Sequence, residues 1–154
     1  MAVERVRSAL LAAGLAAEVA EFPAGTRTAE DAARAVGTTT GQIVKSLVFL
    51  ADDTPILALV SGANRVDLRK LAAVAGVRTI HKADADAVRE ATGFAIGGVP
   101  PFGHRRSLPA FLDRDLLQYP VVYAAAGTPS AVFPIAPEAL LRVSAALEAD
   151  LREE

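Results

Sequence analysis

The sequence contains no cysteine and no tryptophan, and its only histidines are His81 and His104. Without thiols there is no disulfide, no thiolate nucleophile and no thiolate metal site. The two histidines stand too far apart in sequence for a metal-ligand spacing, so no metal site is expected. A surplus of positive charge is also missing. The formal net charge is −2 and the pI about 5.7, which excludes a protein that coats DNA through a broadly basic surface and confines any nucleic-acid contact to a local one. No long apolar run is present either. The N-terminal stretch MAVERVRSALLAAGLAAEVAEF interrupts its hydrophobic residues with Glu4, Arg5 and Arg7, unlike a signal core or a membrane span. A cytoplasmic protein with no membrane partner is expected.

The residues that are present have the balance of a globular chain: 154 residues, 52% hydrophobic and 22% charged. That length supports one core, so residues 1–154 are expected to form a single domain. No repeat or low-complexity linker divides it.

Val3, Val6, Leu10 and Leu11 recur at helical spacing before Gly14, which predicts an opening helix, and AAEVAEF reads as a strand. In TRTAEDAARAVG, Thr28 is placed to cap a second helix through Asp31, with Gly37 as its stop. The segment IVKSLVFLADDTPILALVSG reads as two apolar strands around the polar turn Asp52-Asp53-Thr54. Asp67 then caps a helix ended by Gly76; VRTI reads as a short strand and ADADAVREATG as another helix. Nearer the C-terminus, PAFLDRDLLQY and PVVYAAAGTPSAVFPI supply a strand and a returning pair, and Pro137 opens a final helix expected to run through PEALLRVSAALEADL. Hairpins interspersed with short helices predict an α+β fold with a curved, mixed but largely antiparallel, barrel-like sheet surrounded by short helices.

Two features carry possible chemistry. Residues 93–104, GFAIGGVPPFGH, combine Gly97 and Gly98 with Pro100 and Pro101. Glycine admits close approach to the backbone, and the prolines freeze the chain beyond the glycines, so such a loop can hold N–H groups toward an anionic or carbonyl oxygen. Glycine and proline also mark ordinary turns, and composition alone leaves both readings open. Lys45, one of three lysines against thirteen arginines, interrupts an apolar run. It either snorkels to solvent or enters a cleft toward a phosphate or carboxylate. His104 has no carboxylate nearby to orient it and reads as a turn histidine. Ser61 lacks the flanking glycines of a nucleophile elbow. No phosphate-binding loop or zinc-protease motif occurs.

Taken in order, IVKSLVFL, LVSGANRVDLRKLA, TGFAIGGVPPFGH and YAAAGTPSAVFPI resemble the YbaK and prolyl-tRNA synthetase editing-domain family over residues 21–147. The resemblance implies hydrolysis of the ester joining a wrong, small amino acid (alanine, serine, threonine or cysteine) to tRNA. It implies a freestanding enzyme whose partner is the acceptor end of mischarged tRNA, with an aminoacyl-tRNA synthetase as a further partner. It makes Lys45 the family lysine and residues 97–101 the G-x-x-x-P loop. Lys45, Gly97 and Gly98 are thereby implied as the catalytic set, and Val99, Pro100, Pro101, His104, Ser61 and Gly127 as substrate-binding residues. Pro100 is an addition to the simplest loop and leaves open which amide meets the carbonyl. No side chain attacks in such enzymes: loop amides hold the carbonyl, and the terminal ribose hydroxyl of the tRNA helps to position water. Two other classes stay open, a module that binds an aminoacyl or nucleotide-like ligand without cleaving it, and a hydrolase of another small ester or thioester.

Overall fold

A computed structural model describes residues 2–22 and 28–154. Residues 26 and 27 of the stretch expected to lead into the second helix lie outside them. The strands are β1 (Ala20–Glu21), β2 (Ile43–Ala51), β3 (Thr54–Ser61), β4 (Ile80–Lys82), β5 (Ala110–Asp113), β6 (Val122–Ala125), β7 (Ala131–Ile135) and β8 (Leu147–Ala149). The helices are α1 (Ala2–Ala12), α2 (Ala29–Val36), α3 (Leu68–Ala75), α4 (Ala85–Thr92) and α5 (Pro137–Ser144).

The helix ends are set by local chemistry. Thr28 accepts a hydrogen bond from the Asp31 amide, Asp67 from those of Arg69 and Lys70, and Asp84 from that of Ala87. Each satisfies N–H groups that the first helical turn leaves without carbonyls. The β2–β3 hairpin turns on Asp52 and Asp53, both at positive φ, the geometry that matches the twist of paired strands.

Strand order is β1-β7-β6-β2-β3-β5-β8, with β4 pairing β2 off this path. The sheet is mixed: β2–β6, β3–β5 and β5–β8 are parallel, and β2–β3, β2–β4, β6–β7 and β1–β7 antiparallel. It does not close, because β1 and β8 stand at opposite ends of the order; this corrects the barrel-like expectation. The final helix is also shorter than expected. Ala145 enters the left-handed region at φ 56°, and the chain continues as β8 alongside β5. Pairing with an otherwise open strand edge outweighs the helical pattern of ALEADL.

Both faces of the central hairpin are buried, which explains its continuous apolar character. Val44, Val48, Leu57 and Leu59 join the main core with Val6 and Leu10 of α1, Val88 of α4 and Leu140 of α5. The alternate residues Phe49, Ile56, Ala58 and Val60 pack with Leu71 of α3 on the other face. Ile43 meets Ala32 and Ala33 of α2 on a further patch. Period-two alternation thus divides one strand pair between separate apolar clusters.

Candidate functional site

The site arises where the sheet splits. On one edge β2 pairs fully with β3. On the other, β6 accompanies it only through Ile43 and Val44, and β4 only from Phe49 to Ala51. The Val48 carbonyl still accepts from the Ala83 amide, so residues 45–47 run with one edge open. The Gly62 amide donates to the Ile43 carbonyl, and in an antiparallel ladder the facing direction alternates. The main-chain groups of Lys45 and Leu47 thus face β3, and those of Ser46 face the opening.

A cavity of about 370 Å³ occupies this opening, within the size range of small-molecule sites. Its exposed lip includes Thr28, Lys82, Ile96, Gly97 and Pro129, and its inner wall the buried residues Val44, Val48, Ala83, Val88, Val99 and Ala131. Lys45 and Lys82, two of the three lysines in the chain, border it, and among the described residues no aspartate or glutamate does. Among the described residues, no group of acidic or histidine side chains is arranged to hold a metal ion.

Lys45 is half-buried and donates from Nζ to the carbonyl oxygen of Asn64. Burial holds its ammonium below the ordinary lysine range; the Asp113 carboxylate opposes that shift and the Arg65 guanidinium adds to it. Asn64 is itself fixed. Its Nδ2 donates to Asp113 Oδ2 and Asp115 Oδ2, both at 2.8 Å. Asp113, only 1% exposed, also accepts from the amides of Ser61 and Asp115 at 3.1 and 3.0 Å. The sequence offered no sign of this support, because its members come from β3, the loop after it and the end of β5.

The glycine loop forms the opposing wall and is pinned at its base. The Arg105 amide donates to the Thr92 carbonyl at 2.9 Å, and Arg5 Nη2 donates to the Gly93 carbonyl at 2.9 Å while its guanidinium lies 4.3 Å from the Phe94 ring centre. Gly97 has φ 89°, a conformation that favours glycine. Gly98 donates its N–H to Ala95 O at 3.0 Å. Of the loop residues that line the cavity, Ile96, Gly97 and Val99, none has its N–H paired with another described residue; Gly97 and Val99 flank the committed Gly98 amide.

Of the residues expected at the site, Lys45, Gly97 and Val99 border the cavity. Gly98 packs behind the lip: a Cβ there would stand 2.7 Å from Thr128 Cα and 2.8 Å from Gly127 C and O. Gly127 backs that packing without lining the cavity. Ser61 is buried and committed, with Oγ donating to Gly41 O at 2.7 Å. Pro101 and His104 line a separate cavity of about 250 Å³. His104 Nε2 donates to Pro100 O at 2.6 Å, an internal brace for the loop, and burial lowers the His104 pKa.

Two residues escaped the sequence reading. Lys82 sits exposed on the lip; its closeness to Lys45 comes from the pairing of Phe49 with Lys82, which no local pattern reveals. Ser46 also lines the cavity, and its hydroxyl is the one buried side-chain polar atom among the described residues without a hydrogen-bond partner. Among the described residues, no histidine or carboxylate borders the cavity to serve it as a base. On alternating strand positions the side chains of Lys45 and Ser46 point to opposite faces, so neighbouring lysine and serine do not form a nucleophile–base pair.

The arrangement offers cationic charge, free main-chain donors and an apolar recess, with no histidine or carboxylate among the described residues to activate a hydroxyl for attack. Against known proteins, the chain is 33% identical over 120 residues to EbsC of Enterococcus faecalis, described as a candidate Cys-tRNA(Pro)/Cys-tRNA(Cys) deacylase; the match covers 75% of this chain and 71% of that one. It is 52% identical, with a TM-score of 0.94, to a solved structure described as a candidate trans-editing enzyme for prolyl-tRNA synthetase, over 99% of this chain and 98% of the other. An 82-residue stretch is 33% identical to the proline–tRNA ligase of Elusimicrobium minutum, covering 53% of this chain and 14% of the ligase. Residues 23–143 match the model of the aminoacyl-tRNA editing domain, a span that takes in the whole cavity wall from Thr28 to Val132, and the chain belongs to that family.

Proposed function

We propose that this protein hydrolyses the ester bond of mischarged aminoacyl-tRNA in trans, with a small amino acid as the group released. The observation that carries this reading is the cavity itself, where Lys45 and the unpartnered N–H groups of Gly97 and Val99 border a recess in which, among the described residues, no histidine or carboxylate stands to activate a hydroxyl. Ester hydrolysis requires stabilisation of the charge that develops on the carbonyl oxygen as water adds. Rigidly held main-chain donors supply it without reorganising, and losing one such donor typically costs about 10²–10³ in turnover. Water adds to the carbonyl carbon, the bond to the ribose oxygen breaks, and that oxygen leaves with a proton as the restored hydroxyl of the tRNA. The terminal ribose hydroxyl positions the water, and Lys45 positions the nucleotide end.

The charge of the wall suits this substrate. Two lysines and no carboxylate favour an anionic RNA terminus over a cationic ligand. The wall carries small apolar side chains such as Ala29, Ala32, Ala83 and Val99, and exclusion by size is the means by which such a pocket would discriminate against larger ones.

The test is single-turnover deacylation of one tRNA body charged in turn with alanine, serine, threonine, cysteine and proline. Wild type releases at least one of the small amino acids and spares the proline ester; Lys45→Ala loses release by about 100-fold or more with little change in thermal unfolding. Retention of every ester by a wild-type protein that still binds the charged tRNA would make it a binding module. Full turnover by Lys45→Ala would remove Lys45 from the mechanism.

A further inference from the structure

We propose that residues 150–153 form a strap that sets the position of Lys45, with Arg152 and the Glu153 amide as positioning groups that act through Asn64. The inference deepens the deacylase reading and rests on it, and it extends the site to a segment downstream of the editing-domain match.

The strand that carries Lys45 does not by itself fix the ammonium. A lysine stem is flexible and carries about 2 kcal/mol of rotamer entropy, so its charge is held only as firmly as the acceptor it meets. That acceptor is the main-chain carbonyl of Asn64, in the loop between β3 and α3. One half of the loop is tied back to β3, where the Asn64 amide donates to the Ser61 carbonyl at 2.9 Å. The strap holds the other half. The Glu153 amide donates to the Arg65 carbonyl at 2.8 Å, and the Asp67 amide to the Leu151 carbonyl at 2.7 Å, which pairs Val66 with Arg152 in an antiparallel bridge.

Side chains extend the grip to Asn64 itself. Arg152 Nη1 donates to Asp115 Oδ2 at 3.1 Å, the same oxygen that accepts from Asn64 Nδ2. A continuous hydrogen-bonded path therefore runs from Arg152 through Asp115 and Asn64 to Lys45. Lys70 of α3 secures the strap by donating from Nζ to Asp150 Oδ2 at 2.9 Å and to the Arg152 carbonyl at 2.8 Å. Leu151 is fully buried in one apolar cluster with Leu71. Burial of Leu151 accounts for a segment that covers the core. It does not account for a guanidinium aimed at the carboxylate that orients Asn64, since exposed ion pairs add little to stability.

The experiment compares wild type with Arg152→Ala/Glu153→Pro, which removes the guanidinium and the amide donor to Arg65 together. It reads single-turnover release of a small amino acid at saturating charged tRNA, affinity for uncharged tRNA, and the titration of Lys45 without RNA. NMR of isotope-labelled lysine Cε gives the last, the three lysines being assigned by Lys→Arg variants. The double variant is expected to lose release by about tenfold or more and to keep tRNA affinity within about twofold, as a positioning defect does. Its Lys45 titration moves up toward the ordinary lysine range, because burial is the main cause that lowers it and the released ammonium regains water; the Asp113 carboxylate and the Arg65 guanidinium, the charged groups acting on it, both remain. Arg152→Lys with Glu153→Ala, which keeps a cation and the N–H, restores both readouts. An unchanged rate, a fall in tRNA affinity at unchanged saturated rate, or a fallen rate with an unmoved Lys45 titration overturns the strap. Should the proline variant not fold, Arg152→Ala alone is read by the same Lys45 titration. A wild type that releases no ester overturns the deacylase reading, and the RNA-free titration still decides the strap.

Discussion

Replacing Gly98 with alanine separates the packing role of the glycine loop from its chemical role. A Cβ at this position would sit 2.7 Å from Thr128 Cα, 2.8 Å from Gly127 C and 2.8 Å from Gly127 O. All three are main-chain atoms, so no side-chain rotation relieves the overlap. Either the loop or the 127–130 turn must retreat, and forcing an extra methyl into a filled site costs about 1–3 kcal/mol. For a chain of this length each kcal/mol lowers the melting temperature by about 2–4 °C, giving a loss of roughly 2–12 °C. The Gly97 and Val99 amides adjoin the displaced residue, and misplacing such donors by about 1 Å can cost on the order of 10²-fold in rate. Differential scanning calorimetry and single-turnover deacylation on the same preparation read the two effects together. An unchanged melting temperature would refute the packing argument. A lowered melting temperature with full turnover would refute the role of the loop amides. Gly97→Ala is the companion: its Cβ would come no closer than 3.5 Å to Pro129 Cγ, ordinary contact, so its penalty comes from φ 89° rather than from collision.

The charges around the site lead to further outcomes. Because burial lowers the Lys45 pKa, ammonium-dependent turnover should decline on the alkaline side before the ordinary lysine range is reached; a rate profile corrected for spontaneous ester hydrolysis checks this, and Asp113→Asn, which removes the opposing carboxylate, should move the decline to still lower pH. The same variant replaces an acceptor of three hydrogen bonds with a group that also donates, so unfolding in urea should show a loss of about 1–3 kcal/mol. His104 has a lowered pKa in its buried site, so the unfolded chain takes up a proton that the folded one resists. Its contribution to stability is fully present above about pH 6.5 and is lost as pH falls from there through the folded-state pKa. Melting temperatures measured from about pH 7.5 down to about pH 5.5, a window around the ordinary histidine pKa, should fall less steeply for His104→Gln, which can keep a donor toward Pro100 O.

Much of the fold was legible because it is dictated locally. Thr28, Asp67 and Asp84 cap helices through their own neighbouring amides, and Asp52 and Asp53 form a turn that two short polar residues tolerate. The last strand was not legible. Residues 145–151 carry a helical pattern, and only the open edge of β5 turns Leu147–Ala149 into β8. Barrel closure is illegible for a related reason: curvature can be inferred from many short strands, whereas closure depends on whether the end strands meet. Within the site, Lys45 stands out as a rare lysine in an apolar run. Sequence resemblance groups Ser61, Pro101 and His104 with it, but the first is committed to the Gly41 carbonyl and the other two face a different cavity.

The sequence by itself determined the helix caps, the hairpin, the identity of a conspicuous lysine and a loop stiffened by glycine and proline, because each depends on residues a few positions apart. Tertiary structure alone decided that β2 loses its neighbours from Lys45 to Leu47, that Lys82 joins Lys45 around that opening, and that the Ser46 hydroxyl is buried without a partner. Those outcomes arise from pairings between distant strands, and a hydroxyl becomes an unmet hydrogen-bonding group only when the surrounding fold has removed it from water.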